Sequence, residues 1–178
     1  MQDDLRVKKS TIRLVIGDIT DIEIDSFVYY AQSNLKLGSG FGTAITLRGG
    51  PSVQEELDKI GELQTTEAVV TEAGNMKAKS IIHAVGPGFQ EENIEDKLKT
   101  TIANSLKKAE AKGIASIAFP PMGAGFYGVP LNISADITLE SIADYLSGDT
   151  RIKEVVVCLL DNREYKPFQE KLAALQQA

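Results

Sequence analysis

Cysteine and histidine are each present once. A single cysteine rules out an intrachain disulfide framework and any metal site built on paired cysteines. No apolar run approaches the length of a membrane span. Met1-Gln2-Asp3-Asp4 lacks the basic and then apolar character of a signal peptide, so the expectation is a soluble, cytoplasmic protein with no membrane partner. Positive charge is also short, with 19 Lys and Arg against 25 Asp and Glu and a net charge of −6. That excludes a general nucleic-acid binder, whose affinity rests on clustered cations neutralising phosphates. No Lys or Arg lies between Ile114 and Thr150. An anion held by that stretch must therefore be held by backbone N–H groups. What remains is ordinary globular material: 178 residues, 43% apolar and 25% charged, read as one domain with a sizeable core.

The pattern alternates between strand and helix. Residues 1–10 read as a polar lead-in or an edge strand, and 11–178 as a single domain. Strands are predicted over Thr11–Ile16, Ser26–Ala31, Ala68–Thr71, Ser80–Val85, Ile114–Phe119 and Val155–Leu160. The last is almost wholly apolar, as a central strand covered on both faces should be. Between them, a short helix over Thr43–Leu47 stops at Gly49-Gly50. Pro51 opens a second helix, with Val53, Leu57 and Ile60 on one face. Ile94, Leu98, Ile102, Leu106 and Ala109 recur at helical spacing. Further helices are predicted from Asn132 to Leu146 and from Tyr165 to Leu175. Strands alternating with amphipathic helices argue an α/β domain with a largely parallel sheet covered on both sides.

Two glycine-rich loops each follow a strand. Gly38-Ser39-Gly40-Phe41-Gly42 precedes a helix, where N–H groups and the helix N-terminus can cradle an anion. It has no Gly-Lys-Ser/Thr and is no Walker A loop, and it fits the dinucleotide fingerprint poorly. The second is Pro120-Pro121-Met122-Gly123-Ala124-Gly125-Phe126-Tyr127-Gly128, with two rings to stack on. At the C-terminal edge of an open sheet, two such loops suit a pyrophosphate held by backbone donors. Each N–H to a charged oxygen is worth about 1.5–3 kcal/mol. Asp18, in Gly-Asp-Ile-Thr after the first strand, reads either as a turn or helix cap or as an acceptor for an exocyclic amine. His83 lies in Ile-Ile-His-Ala-Val, where a sheet histidine is favoured over a general base. Cys158 reads as a small core hydrophobe. No carboxylate pair, Ser-His-Asp set or metal-ligand cluster stands out.

Taken together these residues resemble the macro domain, the ADP-ribose-binding α/β/α module, from Ile12 to Leu175. The matching stretches are Gly17-Asp18-Ile19-Thr20, Asp25-Ser26-Phe27-Val28, the first glycine loop with Ala44-Ile45, Glu67–Thr71, Ile82–Pro87 and Phe119–Pro130. The resemblance implies a three-layer α/β/α sandwich on a mixed, mostly parallel six-stranded sheet. It implies that Asp18 accepts from the adenine amino group, with Ile19 beside it. Ser39, Gly40 and Phe41 would form one wall of a diphosphate groove. Gly123, Ala124, Gly125 and Phe126 would form the other. Tyr127 or Phe126 would pack on the distal ribose, and Leu160 or Asn162 on the adenine.

The departures from the family pattern are specific. Asn-Ala-Ala-Asn becomes Tyr29-Tyr30-Ala31-Gln32, which leaves Gln32 or Asn34 to serve the distal ribose. The aspartate common in hydrolytic members is Gly42, and the Ser-Thr before the second loop's glycine is Gly123-Ala124. The leading expectation is therefore a binding module for an ADP-ribose-type small molecule or an ADP-ribosylated protein, without cofactor or metal. The alternative is a hydrolase of ADP-ribosyl or O-acetyl-ADP-ribose esters, with Gln32 and Asn34 as its catalytic candidates. A degenerate macro domain with altered or lost ligand specificity is the second alternative, since Tyr29 and Tyr30 can narrow the distal pocket.

Overall fold

The computed structural model describes residues 3–177. Seven strands form one sheet: β1 (Asp4–Val7), β2 (Ser10–Ile16), β3 (Ser26–Ala31), β4 (Ala68–Glu72), β5 (Ser80–Val85), β6 (Ser116–Phe119) and β7 (Glu154–Leu159). Their order is β1-β2-β7-β6-β3-β5-β4. The two outermost pairings are antiparallel and the inner ones parallel. The helices are α1 (Phe41–Gly49), α2 (Ser52–Ile60), α3 (Ile94–Ala111), α4 (Leu131–Leu146) and α5 (Asn162–Gln176).

The sheet has seven strands rather than the six expected, because Asp4–Val7 pairs with β2, Leu5 opposite Ile12. The inner strands carry continuous apolar runs because both faces are covered. All six residues of β3 are buried, and alternate side chains go to opposite layers. Val28 and Tyr30 join the core under α3, α4 and α5, with Leu98, Ile102, Ile142 and Phe168. Phe27 and Tyr29 join the core under α1 and α2, with Ile45, Val53 and Leu57. Each fully buried Leu, Ile or Phe contributes about 1.5–3 kcal/mol.

Element ends shift for identifiable reasons. The strand expected from Ile114 begins at Ser116, because Ile114 N–H bonds Ala109 C=O at 3.0 Å and Ala115 N–H bonds Asp25 Oδ2 at 3.1 Å. β7 stops at Leu159 because Leu160 N–H donates to Glu164 Oε1 at 2.8 Å. α5 starts at Asn162 rather than Tyr165, since Asp161 caps it by accepting from Glu164 N–H at 3.0 Å. α1 begins inside the glycine loop, with Gly40 as its N-cap at φ 64° and ψ −120°. That backbone conformation admits glycine at no steric cost. No helix among the described residues is long and apolar enough to cross a membrane.

Candidate functional site

The parallel strands β2, β7, β6 and β3 all end on one edge of the sheet, and a cleft of about 670 Å³ opens there. Asp18, Ile19 and Thr20 line it after β2, and Leu160 and Glu164 after β7. Pro120, Pro121, Gly123, Ala124, Phe126 and Tyr127 contribute after β6, and Gln32 with Ser39, Gly40 and Phe41 after β3. Because β7 and β6 lie between β2 and β3, the Asp18 end stands about 14 Å from the Gln32 end. None of the lining residues is Lys or Arg. Two candidates lie outside the lining. Asn34 folds back, its Oδ1 accepting from Lys36 N–H at 2.9 Å. Gly125 opens a 3-10 turn, Gly125–Tyr127, whose closing bond runs from Gly128 N–H to the Gly125 carbonyl at 2.9 Å.

Asp18 takes the capping role that its sequence offered. Its Oδ1 accepts from Thr20 N–H at 2.9 Å and from Thr20 Oγ1 at 2.6 Å, capping a 3-10 turn over Ile19–Asp21. Its Oδ2 accepts from Arg48 Nη2 at 3.1 Å. The Thr20 hydroxyl bond is the largest influence holding this carboxyl below the usual range; burial opposes it, and the Thr20 amide and Arg48 reinforce it. Asp18 is thus an ionised, oriented acceptor; Oδ1 already holds two donors, and Oδ2, which holds Arg48, can take a second. Arg48, which no motif pointed to, also reaches Asp21 Oδ1 at 3.5 Å.

The two glycine loops present free donors. The N–H groups of Phe41 and Thr43 lie in the first turn of α1, where an α-helix offers no carbonyl partner. Those of Gly125 and Phe126 open the 3-10 turn in the same way. Phe126 is 85% exposed and Leu160 70% exposed, so apolar groups stand unsupported on the cleft's rim. Tyr30 packs against Tyr127 with ring centroids 4.1 Å apart, and its hydroxyl donates to Pro87 C=O at 2.5 Å.

His83, Cys158 and Glu164 are each held by their surroundings. His83 is fully buried; Nε2 meets Thr71 Oγ1 at 2.9 Å and Nδ1 has no partner. Burial pushes it down to about 3, so it is neutral and closed off from the cleft. Cys158 lines the cleft floor, but burial first, and then the charges of Asp18 and Glu164, push its thiol up to about 11. Glu164 is spent locally, accepting from Leu160 N–H. No group of three or more His, Cys, Asp or Glu side chains among the described residues could hold a metal ion.

Comparison with known proteins fits this geometry. The sequence pattern of the Macro domain family matches residues 28–138. A macro domain-containing protein of Caldanaerobacter subterraneus is 41% identical over 168 residues, 91% of this chain and 95% of that one. The chain belongs to the macro domain family. A second relative, named O-acetyl-ADP-ribose deacetylase, from Escherichia fergusonii, is 35% identical over 92% of this chain and 96% of its own. Among solved structures, an Oceanobacillus iheyensis macrodomain mutant with ADPR superposes with a TM-score of 0.93 at 29% identity, covering 98% of both chains.

Within this macro domain two of the departures from the family pattern, Tyr29 and Gly42, pack together. The Tyr29 hydroxyl donates to Leu37 C=O at 2.8 Å, and its ring meets Phe41 edge-on at 5.0 Å. Burial pushes the phenol up to about 12, so it stays a neutral donor. At position 42 a Cβ would stand 1.5 Å from the Leu37 carbonyl oxygen and 2.9 Å from the Tyr29 hydroxyl. No side chain fits there on this backbone. The space beside the Gly42 Cα is filled by the first loop's own main chain at Leu37, which Tyr29 holds in place.

Proposed function

We propose that this macro domain binds ADP-ribose or a close derivative and acts as a reader. The observation that carries the reading is the cleft itself. Two glycine loops flank a cation-free groove, with an oriented carboxylate, Asp18, at one end and Gln32 with the Tyr30–Tyr127 pair at the other. Adenine would donate its amino group to Asp18 beside Ile19, with Leu160 over the ring. The diphosphate would lie between Ser39-Gly40-Phe41 and Gly123-Ala124, with Phe126 folding onto the distal ribose beside Tyr127 and Gln32. Two backbone N–H bonds, from Phe41 and Phe126, at the lower value give about 3 kcal/mol. Micromolar affinity needs about 8 kcal/mol, so burial of the adenine must contribute the rest and more.

The second reading is ester hydrolysis, and the relatives named O-acetyl-ADP-ribose deacetylase support it. Its water would be held by a ligand phosphate, backbone and Gln32, because Asn34 lies outside the cleft and Gly42 carries no carboxylate. Calorimetric titration with ADP-ribose tests both readings. Heat with micromolar affinity and no turnover of O-acetyl-ADP-ribose supports a reader, and turnover supports the esterase. No heat at millimolar ligand would remove both.

A further inference from the structure

Tyr127 belongs to two depressions. Besides the cleft it lines a smaller groove of about 250 Å³, walled by Phe89, Ile94, Val129, Pro130 and Ile133. Phe89 is 61% exposed, yet it is not loose. Its ring rests on Gly128, where a Cβ would come within 2.6 Å of it. The loop that carries it is tied down on both sides. Pro87 C=O accepts from the Tyr30 hydroxyl, and Glu91 accepts from Gly88 N–H at 3.3 Å and from Lys97 Nζ at 2.7 Å. The ring does not stand alone but joins the apolar walls of the groove in one surface open to solvent, the kind of feature that marks an interaction site.

The rim is acidic. From Gln90 to Asp96 the chain carries Glu91, Glu92, Glu95 and Asp96 and no cation. Glu91 pairs with Lys97, whereas Glu92, Glu95 and Asp96 make no ion pair among the described residues. The facing wall, Val129 to Ile133, offers no Lys or Arg. Glu95 and Asp96 lie in the first turn of α3 and favour its dipole. That accounts for their position on the helix, but not for the fixed exposed ring beside them.

We propose that this groove takes the polypeptide to which the ADP-ribosyl group is attached, in the form of a short segment with an apolar side chain and an Arg or Lys next to the modified residue. The proposal rests on reading the cleft as an ADP-ribose site. Tyr127 bounds both spaces, so a chain leaving the cleft's distal end passes over it into the groove. Its apolar side chain covers Phe89 and its cation meets Glu95.

The test is titration of the full chain with three probes. These are free ADP-ribose, a mono-ADP-ribosylated peptide with Leu and Arg flanking the modified serine, and the same peptide with Glu for Arg. The basic peptide should bind about fivefold tighter than free ADP-ribose at low salt, the gain falling as salt rises. The acidic peptide should show no gain. Glu95→Lys should abolish the gain and leave the affinity for free ADP-ribose unchanged. A basic peptide that binds no tighter than ADP-ribose, or a gain that survives Glu95→Lys, overturns the proposal while leaving the cleft reading standing. If free ADP-ribose does not bind, the reading beneath it fails and the proposal fails with it. A dimer in sedimentation that Glu95→Lys dissociates would give the groove to a second copy and equally overturn it.

Discussion

Gly42→Ala is the sharpest test of the packed first loop. The added Cβ would sit 1.5 Å from Leu37 O and 2.3 Å from Leu37 C. Both are main-chain atoms, so no rotamer change relieves the overlap and the loop itself must move. It is held in several places. The Tyr29 hydroxyl bonds Leu37 C=O, Gln54 Oε1 accepts from Leu37 N–H at 3.0 Å, and Gln54 Nε2 donates to Leu35 C=O at 3.0 Å. The cost should reach the upper range for overpacking, about 3 kcal/mol. For a chain of this length that lowers the melting temperature by about 6–12 °C.

The same geometry predicts a coupling. Tyr29→Phe keeps the ring but leaves the buried Leu37 carbonyl without its side-chain donor, at about 1–2 kcal/mol. Once that pin is gone the loop can yield, so Gly42→Ala should cost on the order of 1 kcal/mol less in the Tyr29→Phe background. Urea unfolding of the four proteins measures the cycle. Additivity to within about 0.5 kcal/mol, or a Gly42→Ala protein as stable as wild type, would refute the idea that Tyr29 clamps this loop. ADP-ribose affinity should drop in Gly42→Ala and partly recover in the double variant.

Three further perturbations follow from named contacts. His83 is neutral when folded, its value pushed down by burial to about 3, whereas in the unfolded chain it takes a proton near pH 6.5. Stability should therefore be insensitive to His83 above that pH and fall by about 1.4 kcal/mol per pH unit as pH drops from 6.5 towards 3. His83→Gln should flatten this part of a stability-versus-pH curve, and an unchanged slope would show that the ring is not protected. Asp18→Ala removes both the Thr20 cap and the ordered acceptor. It should cost about 1 kcal/mol of stability and weaken ADP-ribose binding in calorimetry, and undiminished affinity would take Asp18 out of the adenine site. Tyr127→Ala deletes the partner of Tyr30 and should cost about 0.5–1.5 kcal/mol for the aromatic pair beyond its area, read as a lower urea midpoint.

The strands and helices were legible because periodicity and apolar runs report burial directly. Val155–Leu160 announces a doubly covered strand, and Ile94, Leu98, Ile102, Leu106 and Ala109 announce one helical face. The edges were less legible because they depend on partners distant in sequence. The start of β6 is fixed by the Asp25 carboxylate, about 90 residues away, and the end of β7 by Glu164, which binds the Leu160 amide. β1 is short and polar, and what makes it a strand is the free edge of β2 beside it.

The site divides along the same line. The glycine loops could be read from sequence, since glycine pairs after a strand mark close backbone approach, and Asp18 could be read from its place after the first strand. Arg48 on Asp18, the Tyr30–Tyr127 pair and the withdrawal of Asn34 into its own turn are contacts between segments that no local pattern encodes. Tyr29 and Gly42 are the instructive case. In the sequence they are two separate departures, each of which only removes a family side chain. In the fold they touch: the tyrosine hydroxyl fixes the Leu37 carbonyl at a position that only an unsubstituted residue 42 can tolerate. Restoring an aspartate at position 42 alone would therefore break the first loop before it could orient a water. Changing Tyr29 as well would free the Leu37 carbonyl from one of the bonds that hold it against position 42, so the two positions are expected to vary together.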